Sequence, residues 1–111
     1  MWSTLPVEDE PVVTIIDWRI FEVDVMGRKT RHFVGYSIKE SEGRVSSAIQ
    51  NFDINTMKGI TNSGRVYQLS GNPYYNKEAS YVWDYWKRLN EVEDEKDITD
   101  EFARTEKTDS I

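Results

Sequence analysis

The chain has no cysteine, a single histidine and no long apolar run, and each absence excludes a class of protein. Without cysteine there are no disulfides, no thiolate metal sites and no thiol nucleophile. No stretch is apolar enough to cross a bilayer, and the acidic start, MWSTLPVEDEP, is not typical of a signal peptide. We therefore expect a cytoplasmic protein that does not enter a membrane.

Basic residues are not in excess either, because the formal net charge is -6. Residues 1–90 hold equal numbers of acids and bases, whereas residues 91–111 hold nine acids and three bases. Nucleic-acid backbones bind basic surfaces, so direct nucleic-acid binding is not expected. An acidic block of this kind is typical of a solvated segment; the sharper alternative is an arm that competes for a basic groove on another protein.

Aromatic residues, in contrast, are abundant, with four Trp, six Tyr and four Phe in 111 residues. Each buries a large area, so one domain of this length can form a packed core. We predict a single α+β domain over residues 1–98. Residues 99–111 are predicted to form an acidic, partly mobile tail that Ile98 and Phe102 at most pin to the body.

β-Branched and aromatic residues dominate the chain as far as residue 69, which is typical of strands. Turn-forming residues divide this part into five predicted strands. Their ranges are 12–26, 31–38, 44–52, 57–61 and 65–69. In the first, VVTIIDWRIFEVDVM, the apolar phase switches near Ile20-Phe21, where a bulge is expected.

The tripeptide Gly-Arg-Val occurs twice, at 43–45 and 64–66, which suggests either paired anion sites or two turns. A phosphate cradle needs glycine amides that open a helix, and neither copy opens one. We therefore predict that each glycine ends a loop and each arginine begins a strand. Strand alternation places Arg44 and Arg65 opposite Val45 and Val66, so each arginine can face solvent if its valine is buried.

After residue 73 the apolar period becomes that of a helix, and Asn76 is a suitable N-cap. We predict an amphipathic helix from Lys77 to Asn90. The fold is then a five-stranded, mainly antiparallel meander with this C-terminal helix packed on one face. The residues expected to be mostly core are Trp18, Ile20, Phe33, Val34, Val45, Ile49, Val66, Val82, Trp83, Trp86 and Leu89.

Residues suited to catalysis are scarce. His32 could join Tyr36, Arg44 and Arg65 in a phosphoester-cleaving set, but no spacing rule links them. Nucleophile elbows, P-loops, dinucleotide-binding glycines and zinc-binding HExxH motifs are missing. The sequence therefore predicts no catalytic residue, no cofactor and no metal site.

Tyrosine and arginine gather around the helix, and such residues are enriched at protein interfaces. The predicted partner-binding residues are Tyr74, Tyr75, Tyr81, Tyr85 and Arg88. The alternative is that the sheet partly covers these tyrosines, since tyrosine is commonly half-buried.

The runs GRVSSAI, SGRVYQLSGNP and YVWDYW, within residues 31–98, resemble small bacterial proteins to which no function is assigned. The resemblance implies a bacterial, cytoplasmic protein, and it carries no activity, ligand or catalytic residue.

Three functions remain open. The first is a non-catalytic module that binds another protein through the tyrosine-rich surface beside the helix, and a homodimer is compatible with it. The second is an acidic inhibitor, of the immunity or phage-encoded type, that blocks a basic groove of a nucleic-acid enzyme. The third is a small hydrolase or nuclease that uses His32 with Arg44 and Arg65. Fold alone decides none of these.

Overall fold

The computed structural model describes residues 6–102 as an α+β fold in which one α-helix packs on a large, mainly antiparallel sheet. The strands are β1 (Val12–Val25), β2 (Arg28–Ser37), β3 (Glu42–Val45), β4 (Ile49–Asp53), β5 (Lys58–Thr61), β6 (Val66–Leu69) and β7 (Asp94–Asp97). The helix α1 spans Lys77–Leu89, and a 3₁₀ turn spans Thr99–Glu101. Within residues 6–102, no helix combines the length and apolar composition that a membrane span requires.

The central strand is β1, which belongs to both halves of the sheet. It pairs antiparallel with β2 on one side. On its other side it pairs parallel with β6 through Val12–Ile15 and antiparallel with β7 through Phe21–Asp24. The strand order is β3-β2-β1-β6-β5-β4. The predicted five-stranded meander is therefore wrong in strand number and in this one parallel pairing, whereas the α+β class and the mainly antiparallel sheet are confirmed.

A β-bulge at Asp17 bends β1 between the two halves of the sheet. The pairing register with β2 shifts between Ile16 and Arg19, and Asp17 has a φ of 51°. Aspartate tolerates this left-handed conformation better than most residues. A bulge changes the direction in which the side chains that follow it point. The bulge predicted at Ile20-Phe21 thus lies earlier in the strand.

A second bend separates β3 from β4 at residues 46–48. The Ser46 hydroxyl accepts a hydrogen bond from the backbone N–H of Phe33 at 2.9 Å and donates one to the carbonyl of Ser47 at 2.7 Å. These bonds satisfy backbone groups where the chain turns a corner. Because of this corner, the single strand predicted over residues 44–52 is wrong and is replaced by two shorter strands.

The apolar core has two layers. The first lies between the two halves of the curved sheet and includes Trp18, Ile20, Phe33 and Tyr67. The second lies between the sheet and α1 and includes Val23, Val34, Ala79 and Trp83. The predicted core residues are buried or half-buried, with one exception. Leu89 is 63% exposed, because it lies in the last turn of α1, past the stretch that packs on the sheet.

The two Gly-Arg-Val copies have different roles. Gly64 has a φ of 90° and forms a turn before β6, as predicted. Gly43 lies inside β3 and touches α1, so the prediction that it ends a loop is wrong. Val45 and Val66 are only half-buried, and Arg44 and Arg65 are 4% and 6% exposed, so neither arginine takes the solvent-facing position that alternation allowed. For Arg44, the cause is that β3 is covered on both faces, by α1 and by the core between the sheets.

The helix prediction is confirmed, with Asn76 as N-cap: its side chain accepts a hydrogen bond from the Ala79 N–H at 3.0 Å.

The sequence did not predict β7, whose residues are all charged. The described body continues through Phe102, and Ile98 and Thr99 are each 3% exposed. Residues 103–111, the greater part of the predicted tail, lie outside the described residues.

Candidate functional site

A cavity of about 100 Å³ lies where the bulge of β1, the start of α1 and the end of β7 meet. We call it the aromatic cleft. Its inner side is formed by Phe21, Val34, Ala79 and Trp83. Tyr74 and Tyr75 form its outer wall, and Asp17, Arg19, Asn76, Ser80 and Asp97 complete it. The cleft is therefore apolar inside and polar at its rim.

Stacked aromatic rings hold the inner side in place. The rings of Phe21 and Trp83 stack with centroids 4.8 Å apart, and those of Trp83 and Trp86 stack at 5.3 Å. The Trp83 indole N–H donates a hydrogen bond to Glu95 of β7 at 3.0 Å. The Lys87 ammonium also lies over the Trp83 ring, 5.6 Å from its centre, so aromatic rings, a carboxylate and a cation together hold the indole in place.

The bulge of β1 and the start of α1 are joined by side chains at the rim. The Asn76 amide nitrogen donates a hydrogen bond to the Asp17 carboxylate at 3.0 Å, while its oxygen caps the helix. Asn76 thus couples the position of Asp17 to the first turn of α1. Both sides of the cleft are fixed relative to one another, which is what a preformed binding site requires.

An ion pair between Arg19 and Asp97 forms another part of the rim. Burial raises the pKa of Asp97, but hydrogen bonds from Thr99 and the charge of Arg19 outweigh that effect, and the pKa is lowered overall. Asp97 is therefore ionised at neutral pH. The Thr99 hydroxyl also accepts a hydrogen bond from the backbone N–H of Ile20 at 3.0 Å, which ties the end of β7 to β1.

The outer wall consists of strongly exposed aromatic side chains. Tyr74 is 69% exposed and Tyr75 is 61% exposed. Both lie in the irregular segment between β6 and α1. Large apolar side chains that stay exposed beside a cavity are typical of interaction surfaces.

The structure divides the five predicted partner-binding residues into two groups. Tyr74 and Tyr75 line the aromatic cleft, whereas Tyr81, Tyr85 and Arg88 do not. At about 100° per residue, Tyr81 and Tyr85 lie together on another flank of α1. Arg88 borders that flank, with its guanidinium 5.9 Å from the Tyr85 ring centre, and also lines the acidic depression described below. Tyr81 is 62% exposed, and Tyr85 is half-buried.

A second, shallow depression of about 550 Å³ lies further along the flank of α1 that faces β7. Its lining comprises five carboxylates and two cations, with Val92. These residues are Asp84, Lys87, Arg88, Glu91, Val92, Glu93, Asp94 and Glu95. Lys87 is already paired with Asp84 at 3.4 Å and with Glu95 at 2.8 Å, so negative charge dominates this acidic depression.

His32 has the environment of a structural histidine. It is 4% exposed and packs on Trp86 with ring centroids 4.6 Å apart. Its Nδ1 donates to the carbonyl of Ser46 at 2.8 Å, and its Nε2 accepts from the hydroxyl of Thr30 at 2.8 Å. Burial lowers the pKa of His32, although the bond to Ser46 opposes this. Both ring nitrogens are thus occupied, and the imidazole is neutral.

Within the predicted set of His32, Arg44 and Arg65, the histidine and Arg44 lie in separate surroundings. His32 packs on α1, while Arg44 lies on the opposite face of the sheet, with its guanidinium 5.9 Å from the ring centre of Tyr67. Arg44 also pairs with the buried carboxylate of Glu10 at 3.3 Å. Among residues 6–102, no group of three or more acidic or histidine side chains is placed to hold a metal ion.

Sequence reasoning found the tyrosines of the cleft but missed Asp17, Arg19, Phe21 and Asp97. One signal was available for Asp17, because it interrupts the apolar run VVTII with a residue that favours bulges and turns. No comparable signal marked Asp97, whose strand has no apolar residue.

No family model, no curated protein and no solved structure matches this chain.

Proposed function

We propose that this protein is a small non-catalytic binding module that docks on another protein through the aromatic cleft. The observation that supports the proposal is the exposure of Tyr74 and Tyr75 at the mouth of a preformed apolar cavity. Tyrosine supplies a large, rigid contact area and is enriched at the energetic centres of interfaces. Tyr81 and Tyr85 extend this surface on the other flank of α1, and Arg88 lies beside Tyr85 at the border of the acidic depression.

The experiment compares affinity capture from native cells by the unaltered chain and by a Tyr74→Ser/Tyr75→Ser double variant. Both side chains are exposed, so the double variant is expected to fold normally, which circular dichroism checks. A partner that binds through the cleft should be lost from the double variant. The matched control is Met26→Ser, which removes an 81% exposed apolar side chain at the β1–β2 turn and should retain the partner.

Retention of every captured protein by the double variant would contradict the proposal. Binding to the captured partner is then measured with purified proteins, so that a loss in cells is not mistaken for a change in abundance. Truncation of a central aromatic anchor commonly weakens binding by about 2 kcal/mol or more, which is roughly thirtyfold in dissociation constant.

The acidic inhibitor remains the second proposal, because carboxylates of the acidic depression lie on the folded elements α1 and β7. The two functions differ in the residues on which binding depends. Tyr74→Ser/Tyr75→Ser should abolish binding through the aromatic cleft, whereas an inhibitor that acts through its carboxylates should keep its target in that variant and lose it at high ionic strength.

A further inference from the structure

Two depressions lie one after the other along the flank of α1 that faces β7. The aromatic cleft is at the end near the start of the helix, and the acidic depression is at the other end. The bonds from Trp83 and Lys87 to Glu95 join helix and strand between the two. We refer to the two depressions together as the α1–β7 groove.

The cleft end is suited to one aliphatic side chain. Its volume is about 100 Å³, whereas a cavity of about 150 Å³ accommodates benzene. The Trp83 ring already contacts Phe21 and Trp86, and the Lys87 ammonium lies over it, 5.6 Å from the ring centre, so a cationic ligand would meet like charge there. A branched aliphatic group of the size of valine or leucine therefore matches the cleft better than an aromatic ring or an ammonium group.

The other end of the groove requires positive charge in its ligand. Asp84, Glu91, Glu93, Asp94 and Glu95 outnumber Lys87 and Arg88 there, and Lys87 is already neutralised by its own carboxylate partners. Arg19 at the cleft end is similarly paired with Asp97. A partner that placed further carboxylates along the groove would meet unfavourable like charges.

The separation of the two ends sets the spacing within the ligand. Ser80 lines the cleft and Arg88 lines the acidic depression. Eight helical residues advance by about 12 Å. An extended chain covers that distance in about four residues.

We propose that the α1–β7 groove binds an extended, basic peptide segment, with an aliphatic residue in the aromatic cleft and Lys or Arg about four residues away over the acidic depression. The proposal rests on the binding-module function and specifies its ligand class. The segment belongs to the partner protein, and charge complementarity together with the apolar cavity determines its chemistry.

The test uses two six-residue peptides of identical composition, each with blocked ends. In the spaced peptide, Leu-Ser-Gly-Ser-Lys-Lys, the lysines begin four residues after leucine. In the compact peptide, Leu-Lys-Lys-Ser-Gly-Ser, they follow it directly. Each sequence is also made in reverse, because the groove allows both chain directions. Binding is followed by NMR titration of the isotope-labelled protein, with the Trp83 indole N–H and the amides of β7 as reporters.

We expect the spaced peptide, in one of its two directions, to bind at least about fivefold more tightly than its compact isomer. Replacement of its leucine by aspartate should abolish the shift of the Trp83 indole. Glu93→Lys should weaken the spaced peptide several-fold, because Glu93 is exposed in the acidic depression. The matched control, Glu8→Lys, makes the same charge change at an exposed residue outside the groove and should leave the affinity unchanged.

Equal binding of the isomers, no binding at millimolar concentration, or shifts confined to other surfaces would overturn the peptide proposal. If the Tyr74→Ser/Tyr75→Ser variant still loses its cellular partner in that case, the binding module stands and only the ligand class is wrong. If the double variant retains every partner, the binding module itself fails, whichever peptide result is obtained.

Discussion

The Glu10 carboxylate accepts a hydrogen bond from the Arg44 guanidinium at 3.3 Å, and both side chains are about as buried as the apolar core, at 5% and 4% exposure. The Tyr67 hydroxyl lies 3.4 Å from the same guanidinium. Burial opposes the charge of Arg44, but Tyr67 and Glu10 outweigh it and raise its pKa. The pair fastens the segment before β1 to β3.

Removal of one partner of this pair should destabilise the protein strongly. Glu10→Gln leaves the Arg44 charge buried without its counter-ion, and such changes cost about 3–5 kcal/mol. Chemical denaturation measures the free energy of unfolding, and Glu8→Gln, at an exposed position, serves as control. A Glu10→Gln/Arg44→Met variant should recover part of the loss. A single Glu10→Gln variant as stable as the control would show that the pair is not formed.

The neutral, buried state of His32 predicts a pH-dependent stability. The pKa of His32 is lowered in the folded state, so below about pH 6.5 the unfolded chain takes up a proton that the folded chain does not. The free energy of unfolding should therefore fall with decreasing pH from about 6.5 until the folded pKa is reached, by at most about 1.4 kcal/mol per pH unit.

The measurement is chemical denaturation at several pH values between 5 and 8, for the unaltered chain and for His32→Gln. His32 is the only histidine, so the difference between the two curves isolates its contribution. The slope near pH 6 should be shallower in the variant. Parallel curves would mean that His32 titrates alike in both states.

Trp83 should be the most important aromatic side chain of α1 for stability. It is 4% exposed and stacks on both Phe21 and Trp86, while Trp86 is only half-buried. Trp83→Ala should cost about 3–5 kcal/mol, and Trp86→Ala less. Tyr75→Ala, at an exposed position, should stay within about 0.5 kcal/mol of the unaltered chain. Thermal unfolding ranks the three, and a reversed order for the two tryptophans would contradict the packing of α1.

Local sequence patterns predicted the elements whose formation depends on residues close together in the sequence. The helical period of Ala79, Val82, Trp83 and Trp86 and the cap at Asn76 located α1, because capping and amphipathicity act within a few residues. Other features depend on contacts distant in sequence. The strand β7 has no apolar residue and exists because it pairs with β1, whose edge is free there beyond the end of β6.

The aromatic cleft was predictable only in part, because some of its residues follow local patterns and others are brought together by contacts distant in sequence. Tyr74 and Tyr75 were identified because residue type and position beside a helix suggest exposure. Asp17, Arg19 and Asp97 come together only through the bulge in β1 and the docking of β7. The burial of Arg44 was not predicted. Strand alternation shows which residues share a face of β3, but it does not show whether a face is covered, and both faces of β3 are. The alternation of apolar and polar residues along a strand does not reveal that another element packs on its second face.

The last prediction compares the same glycine-to-alanine substitution in the two Gly-Arg-Val copies, where the surroundings of the glycine differ. At Gly43 a Cβ atom would lie 2.7 Å from the Ala79 Cα and 2.7 Å from the Glu78 carbonyl oxygen, so α1 would have to move away from β3. At Gly64 a Cβ atom would meet nothing within 4 Å, and only the φ of 90° opposes alanine. Gly43→Ala should therefore cost about 3 kcal/mol or more, and Gly64→Ala about 1–2 kcal/mol. The denaturation midpoints of the two variants can be compared directly, since the two proteins have identical composition, and they show which substitution is more destabilising. If Gly64→Ala were the more destabilising change, α1 would not pack against β3 as closely as described.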